Sequence, residues 1–377
     1  MDLTTLFAAI TLVFGLLTFD TIRTSDAVFV EVADVPAIEK TNIDQVTLEA
    51  EFARELNEVG EIVSIIVPPE IRTQRDIGVT RALGAMLKIN DLAYAIETDL
   101  GYRSDRMRLA LFTDKGRLGA LVTGRGKTVG PFRTLLYPRD GESLIDFVRR
   151  CSATGAFHLA PYGTTLHLMQ VGAGTGNMAP ARMASERAKS MLPNTLENFD
   201  RSLLENVDGL IALFGGDVAG AHDTFLRAVA SSSRNWVASL NAAFTEIQIH
   251  AFDRAESRMR ALIPHVPADR RILRSTAYMT QAAALLGLNR PEEADALLVQ
   301  ALTINPDNSG AWFYRAAARA ELGDPAGAAQ MRRRAFQTND SVENFAEVAT
   351  LYFLLNWTAG DQLIQSPFPN PVVTKRR

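Results

Sequence analysis

Three groups of residues have the types and spacing from which chemistry is built. Gly126-Lys127-Thr128 matches the end of a phosphate-binding loop, whose amides and lysine cradle a nucleotide. That loop needs another glycine five positions earlier, where Leu121 stands, and it must lie between a strand and a helix. Strand-like pieces flank it on both sides here, so a hairpin turn is expected. Gly172-Ala173-Gly174-Thr175-Gly176 resembles a dinucleotide fingerprint but lacks its final spacing and a helix starting in the right place. It reads as a flexible linker. Cys151 with His158 or His167 would form a thiolate–imidazole pair. Cys151 falls on an apolar helical stripe, however, where a thiol is an inert small hydrophobe.

Other chemistries lack their raw material. There is no HExxH, no GxSxG, and no closely spaced acidic set suited to calcium or magnesium. Glu292 and Glu293 are adjacent on a helix, so their carboxylates point in different directions. One cysteine excludes a disulfide framework and a multi-thiolate metal site, and five histidines leave little for a histidine-built one. A formal charge of −4 argues against a general nucleic-acid coat. The expectation is a protein that is not an enzyme, with no cofactor, no metal and no nucleic-acid partner.

The elements that must position any site begin with Leu3 to Phe19, an uncharged and mostly apolar run bounded by Asp2 and Asp20. Its helical length of about 26 Å just serves a bilayer core of about 30 Å. A cleaved signal peptide needs a basic leading region, which Met1 and Asp2 do not supply, although Ser25-Asp26-Ala27 resembles a cleavage site. A buried soluble helix would not be apolar all round. An uncleaved anchor over residues 1–22 fits best, with residues 3–19 in the bilayer. Only Arg23 and Lys40 lie near the span, so the positive-inside rule has little to weigh. Signal-anchor habit in bacteria suggests a single-pass inner (cytoplasmic) membrane protein with its bulk in the periplasm.

Residues 27–170 read as a small α+β domain. Val28 to Val32 suits a strand, and Asn42 can cap a helix striped by Leu48, Phe52, Leu56 and Val59. A second helical pattern runs over about 79–100. Met107, Leu109 and Leu111 alternate with polar neighbours, as do Leu118, Ala120 and Val122 beyond the Asp114-Lys115-Gly116 turn. With residues 132–137 they predict an antiparallel meander. Helices over about 142–153 and 161–169 close the domain, and residues 171–196 read as linker.

The strongest signal is an internal repeat over residues 197–357. Ala221, Phe225 and Ala228 share their spacing with Ala255, Met259 and Leu262, with Ala294, Leu298 and Ala301, and with Ala328 and Ala335. The leading alanines lie 34, 39 and 34 residues apart. Small residues recur twelve positions earlier, at Gly209, Ala243, Ala282 and Ala316, which lets two antiparallel helices cross closely. Trp312, Gly323, Gly216, Pro267 and Pro306 complete the pattern, and the segment resembles the tetratricopeptide-repeat family.

That resemblance implies an all-α superhelix whose concave groove holds an extended peptide or a helix. Mapped onto this chain, the groove residues are Asn206, Leu210, Leu240, Phe244, Ile247, Gln248, Met279, Ala283, Phe313 and Ala317. Phe244→Arg is therefore expected to weaken partner binding while leaving helical content unchanged. No lysine occurs between Lys189 and Lys375, so the family's carboxylate clamp is absent. Two departures stand out: a five-residue insertion around 265–272, and Arg315 and Arg319 at positions usually apolar. These arginines are expected to meet Glu343 and Glu347 on a terminal capping helix, about 342–357, before a tail over 358–377.

The layout resembles membrane-anchored tetratricopeptide proteins of bacterial envelopes. It implies a scaffold or adaptor that binds a protein or peptide partner. The alternatives are a structural subunit of a larger envelope complex, or an enzyme whose catalytic domain is the α+β region.

Overall fold

The computed structural model describes residues 29–33, 43, 45–60, 106–126, 130–192 and 198–339. They divide into two units, with the break after Thr164. The proposed span at 3–19, the helical pattern at 79–100 and the capping helix at 342–357 lie outside the described residues. Among those described, no helix is long and apolar enough to cross a membrane.

The first unit is a four-stranded sheet in the order β1 (Phe29–Ala33), β2 (Arg106–Asp114), β3 (Arg117–Gly126), β4 (Gly130–Leu136). The expected meander is present: β2, β3 and β4 pair antiparallel. β1 adds a parallel partner on β2 (Val32 opposite Leu109), which requires a crossover connection rather than a hairpin. Lys115 and Gly116 carry φ of 50° and 80°, the two left-handed residues of a hairpin turn matched to strand twist.

Helices α1 (Gln45–Gly60) and α2 (Leu144–Leu159) bury their apolar stripes on one face of this sheet. Leu48, Phe52, Leu56 and Val59 of α1 meet Phe147, Val148 and Cys151 of α2 in one cluster with Met107, Leu109, Ala120 and Val122. Polar contacts fix the helix pair. The Ser152 hydroxyl donates to the Phe52 carbonyl, and Arg149 Nε lies 2.7 Å from Glu51 Oε2. Ser143 caps α2 through the Asp146 amide.

The stretch read as a linker is largely helical. Helix α3 spans Pro161–Thr175 and α4 spans Ala179–Met191. Alanine-rich α4 buries Ala181, Ala184 and Ala188, and its Lys189 Nζ sits 2.7 Å from Asp208 Oδ2 on the next helix. Glycines at 172 and 174 are tolerated inside α3, and Gly176 takes φ 78° just beyond its end.

Four antiparallel hairpins follow: α5 (Phe199–Phe214) with α6 (Val218–Ser231), α7 (Trp236–Gln248) with α8 (Phe252–Leu262), α9 (Arg271–Gly287) with α10 (Pro291–Ile304), and α11 (Ser309–Glu321) with α12 (Pro325–Asn339). This is a tetratricopeptide-like array, and its repeat residues hold the hairpins shut. Ala221, Ala255, Ala294 and Ala328 are all buried, as are Ala243, Ala282 and Ala316. At Gly209 a Cβ would lie 2.4 Å from the Phe225 ring, so only glycine permits that crossing. Each hairpin turns on a left-handed residue at the same repeat position, namely Gly216, His250, Asn289 and Gly323.

Candidate functional site

The sequence motifs with catalytic resemblance do not assemble sites. Cys151 is enclosed in the apolar cluster, and burial pushes its thiol up to about 12, leaving it protonated and unreactive. His158 instead stacks on Phe132, with ring centroids 4.6 Å apart, and its Nε2 lies 3.4 Å from Thr134 Oγ1. Gly126 pairs with Gly130 at the end of the antiparallel β3–β4 ladder, so strands flank the lysine motif on both sides, and residues 127–129 lie outside the described residues. Among the described residues no three histidine, cysteine or acidic side chains are grouped to hold a metal ion. Glu293 is solvated and pairs with Arg290 at 2.6 Å.

The concave positions need a correction. Asn206, Leu210, Leu240, Phe244, Ile247, Met279 and Ala283 are all buried, at 2% exposure or less. Only Gln248, Phe313 and Ala317 are partly exposed. The reason is that the first helices of the middle hairpins are buried around most of their circumference, polar residues such as Asn241, Glu246, Thr280 and Gln281 included. Ten of the thirteen residues of α7 and twelve of the seventeen of α9 are buried, which makes them core helices rather than the wall of an open trough. Asn206 is committed as well, accepting a hydrogen bond of 2.9 Å from Asn241 Nδ2. Both side-chain amide atoms of Gln248 are enclosed without a hydrogen-bond partner among the described residues.

The arginines of the fourth hairpin have a partner that the sequence reading did not name. Arg315 Nε and Arg319 Nη2 lie 3.0 and 2.8 Å from the two oxygens of Asp295 on α10, which ties hairpin 4 to hairpin 3. Glu343 and Glu347 lie outside the described residues.

An open surface appears where the repeat is least regular. Between hairpins 1 and 2, Ser202 Oγ donates to the Ala228 carbonyl at 2.5 Å and accepts from Asn235 Nδ2 at 2.9 Å. Asn235 simultaneously caps α7 by accepting from the Ala238 amide. Between hairpins 3 and 4 the same brace recurs with Ser275, Ala301, Asn308 and Ala311. The connection is four residues long in both places. Between hairpins 2 and 3, Trp236 replaces the serine, Arg270 replaces the capping asparagine and makes no side-chain cap, and the connection lengthens to residues 263–270. The longer connection opens with a short 3₁₀ turn, Ile263–His265, with Val266 buried behind it, and the last residues of the insertion, Arg271 and Ile272, begin α9.

A cleft of about 920 Å³ lies on hairpin 2, lined by Ser233 and Arg234 of the connection before α7, by Trp236 and Glu246 of α7, by Asp253, Arg254, Ser257, Arg258 and Leu262 of α8, and by His265 of the connection that follows. Its charged wall is ordered from within. Buried Glu246 grips Arg258 through two contacts, 3.0 Å to Nε and 2.8 Å to Nη2, so that guanidinium is fixed in place. Arg254 is exposed, and no carboxylate pairs with it among the described residues. Chemically the cleft offers an indole face and an aliphatic floor beside the exposed guanidinium of Arg254 and the carboxylate of Asp253.

Sequence reasoning found the insertion but missed the cleft. The signal was the serine–asparagine pair 33 residues apart in two repeats, Ser202 with Asn235 and Ser275 with Asn308, and its replacement by tryptophan in another.

No protein-family model and no curated protein matches the chain. Among solved structures it is similar to MamA AMB-1, at 17% identity over 48% of this chain and 99% of that one, with a TM-score of 0.36. It is also similar to the MamA RS-1 ArsTM double mutant, at 16% identity over 48% and 96% of the two chains, with a TM-score of 0.37. The tetratricopeptide-like character of the array stands on its own repeat geometry.

Proposed function

We propose that the chain is a protein-interaction scaffold that holds a protein or peptide partner on its helical array. Residues 3–19 anchor it in the inner membrane, with the bulk on the periplasmic side. The observation that carries the interaction reading is the open cleft on hairpin 2. A cleft with an aromatic wall, an apolar floor and an exposed arginine suits an extended segment bearing a carboxylate next to an apolar or aromatic side chain. The carboxylate would meet Arg254, and the apolar group would pack on Trp236 and Leu262. On the concave side, the partly exposed Phe313, Ala317 and Gln248 would add contacts, while the buried groove residues hold the array's shape.

The test is cross-linking of the full-length protein in cells, followed by purification in mild detergent and mass spectrometry. Arg254→Glu and a version lacking residues 197–357 serve as comparisons. The scaffold reading expects a partner that disappears with both. A partner that survives both would move the interaction to the α+β unit or the anchor. A partner that is lost with the deletion but indifferent to Arg254→Glu would leave the scaffold and remove the cleft.

A further inference from the structure

Among the described residues, helices pack on one face only of the sheet of the first unit. Opposite the face packed by α1 and α2, the register sets Arg108 beside Thr123 and Thr123 beside Arg133 in one row. Ala110, Leu121 and Leu135 form the next row, and Phe112 lies opposite Gly119 in the row after that. The Phe112 ring fills the space above Gly119, where a Cβ would come within 2.4 Å of it. It meets Tyr137 edge-on at 6.2 Å, and Arg117 stands 5.4 Å above the tyrosine ring. Leu135 is 53% exposed and Tyr137 36%, and Arg108, Arg117, Arg125 and Arg133 are all exposed. No carboxylate pairs with Arg125 or Arg133 among the described residues. From Arg106 to Tyr137 the sequence carries seven basic residues and one acidic residue, although the whole chain is net negative at −4.

We propose that this sheet face docks on an anionic membrane surface, its arginines meeting lipid phosphates while Leu135 and Tyr137 enter the interface. An apolar row flanked by cations is the arrangement that interfacial binding requires, since each arginine near an anionic surface adds attraction and the apolar groups gain burial. A single-stranded nucleic acid would need aromatic rings turned outward to stack on bases. Here the two rings are turned edge to face against each other, and Arg117 covers the tyrosine. Geometry supplies proximity as well: the ten residues from Phe19 to Phe29 span at most about 36 Å, so a unit anchored through residues 3–19 stays at the bilayer. That reach rests on the anchor reading, whereas the attraction does not.

The full chain carrying Leu135→Cys, labelled with an environment-sensitive dye, is reconstituted into vesicles of phosphatidylcholine alone or with added phosphatidylglycerol. Buried Cys151 stays unlabelled. Docking predicts a blue shift, and quenching by headgroup-attached quenchers, only with phosphatidylglycerol. The double variant Arg125→Ala/Arg133→Ala should lower the docked-to-undocked ratio by about fivefold per arginine. A label at Ser257 on the array should stay solvent-like. A dye at position 135 that remains solvent-like in anionic vesicles overturns the proposal. So does an equal response in both lipids, or protection by an added oligonucleotide in preference to lipid. Should the anchor itself fail, the chain would still float with phosphatidylglycerol vesicles and be stripped by salt, so the two readings fail separately.

Discussion

Hairpins 1 and 2 meet through a serine hydroxyl, a capping asparagine and a helix-terminal carbonyl, and hairpins 3 and 4 meet through the same three groups two repeats later. Hairpins 2 and 3 meet without them. In the regular junctions the serine and asparagine of the brace are buried and paired. Where the brace is missing, Trp236 stands in the serine's place and the longer connection brings in His265, and both line an open cleft on hairpin 2 beside exposed Arg254. The lesson is that repetition builds stability here, and that the departure from repetition builds the candidate site.

The comparison can be broken or sharpened by substitution. The largest effect is expected from Phe244→Arg, which places an unpaired charge in the sealed core of α7. It should cost about 3–5 kcal/mol, seen as a lowered denaturant midpoint, and not simply reduce binding at unchanged helicity. Asn308→Ala in a regular junction strips a cap and leaves the buried Ser275 hydroxyl with one partner fewer. A loss of about 1–3 kcal/mol in the same measurement is expected, with partner cross-linking intact. Trp236→Ser restores the brace residue at the irregular junction. It should change stability by no more than about 1 kcal/mol while lowering partner affinity about tenfold or more, as removal of an aromatic anchor does.

The smallest effect belongs to the α+β unit and serves as a control outside the array. The hydrogen-bonded guanidinium of Arg150 holds the Glu142 carboxylate at about 2, well below its ordinary value. Because the folded value is depressed, the contribution is complete above the unfolded value of about 4.3 and is lost as pH falls from there towards 2. Glu142→Gln should flatten that part of the stability–pH profile and leave binding at neutral pH unaltered.

What was legible in the sequence follows from which physical signals are local. Helical periodicity exposed α1 through Leu48, Phe52, Leu56 and Val59, and strand alternation exposed β2 and β3 through Met107 to Val122, because each element's buried face is written in its own spacing. The repeat alanines were equally plain, since a close helix crossing tolerates only small side chains. Two things were not legible. Glycine-rich residues 172–176 read as linker, yet the helix there tolerates glycines that propensity alone disfavours. The groove residues were assigned from family positions that say where a side chain projects, not whether that face stays open. With α7 and α9 buried on most sides, those positions are enclosed. The pairing of Arg315 and Arg319 with Asp295 was hidden for a related reason, because it joins helices of neighbouring hairpins at no fixed sequence spacing.

The most direct test of the central claim places a photo-cross-linking amino acid at equivalent positions of two hairpins in the full-length protein. Ser257 on α8 lines the cleft of hairpin 2, and Ala296 on α10 is the exposed residue at the same repeat position in the next hairpin. Irradiation in cells should yield a partner adduct at position 257 and none at 296. Adducts of equal yield at both positions, or at 296 alone, would contradict the claim that the break in the repeat is where this protein binds.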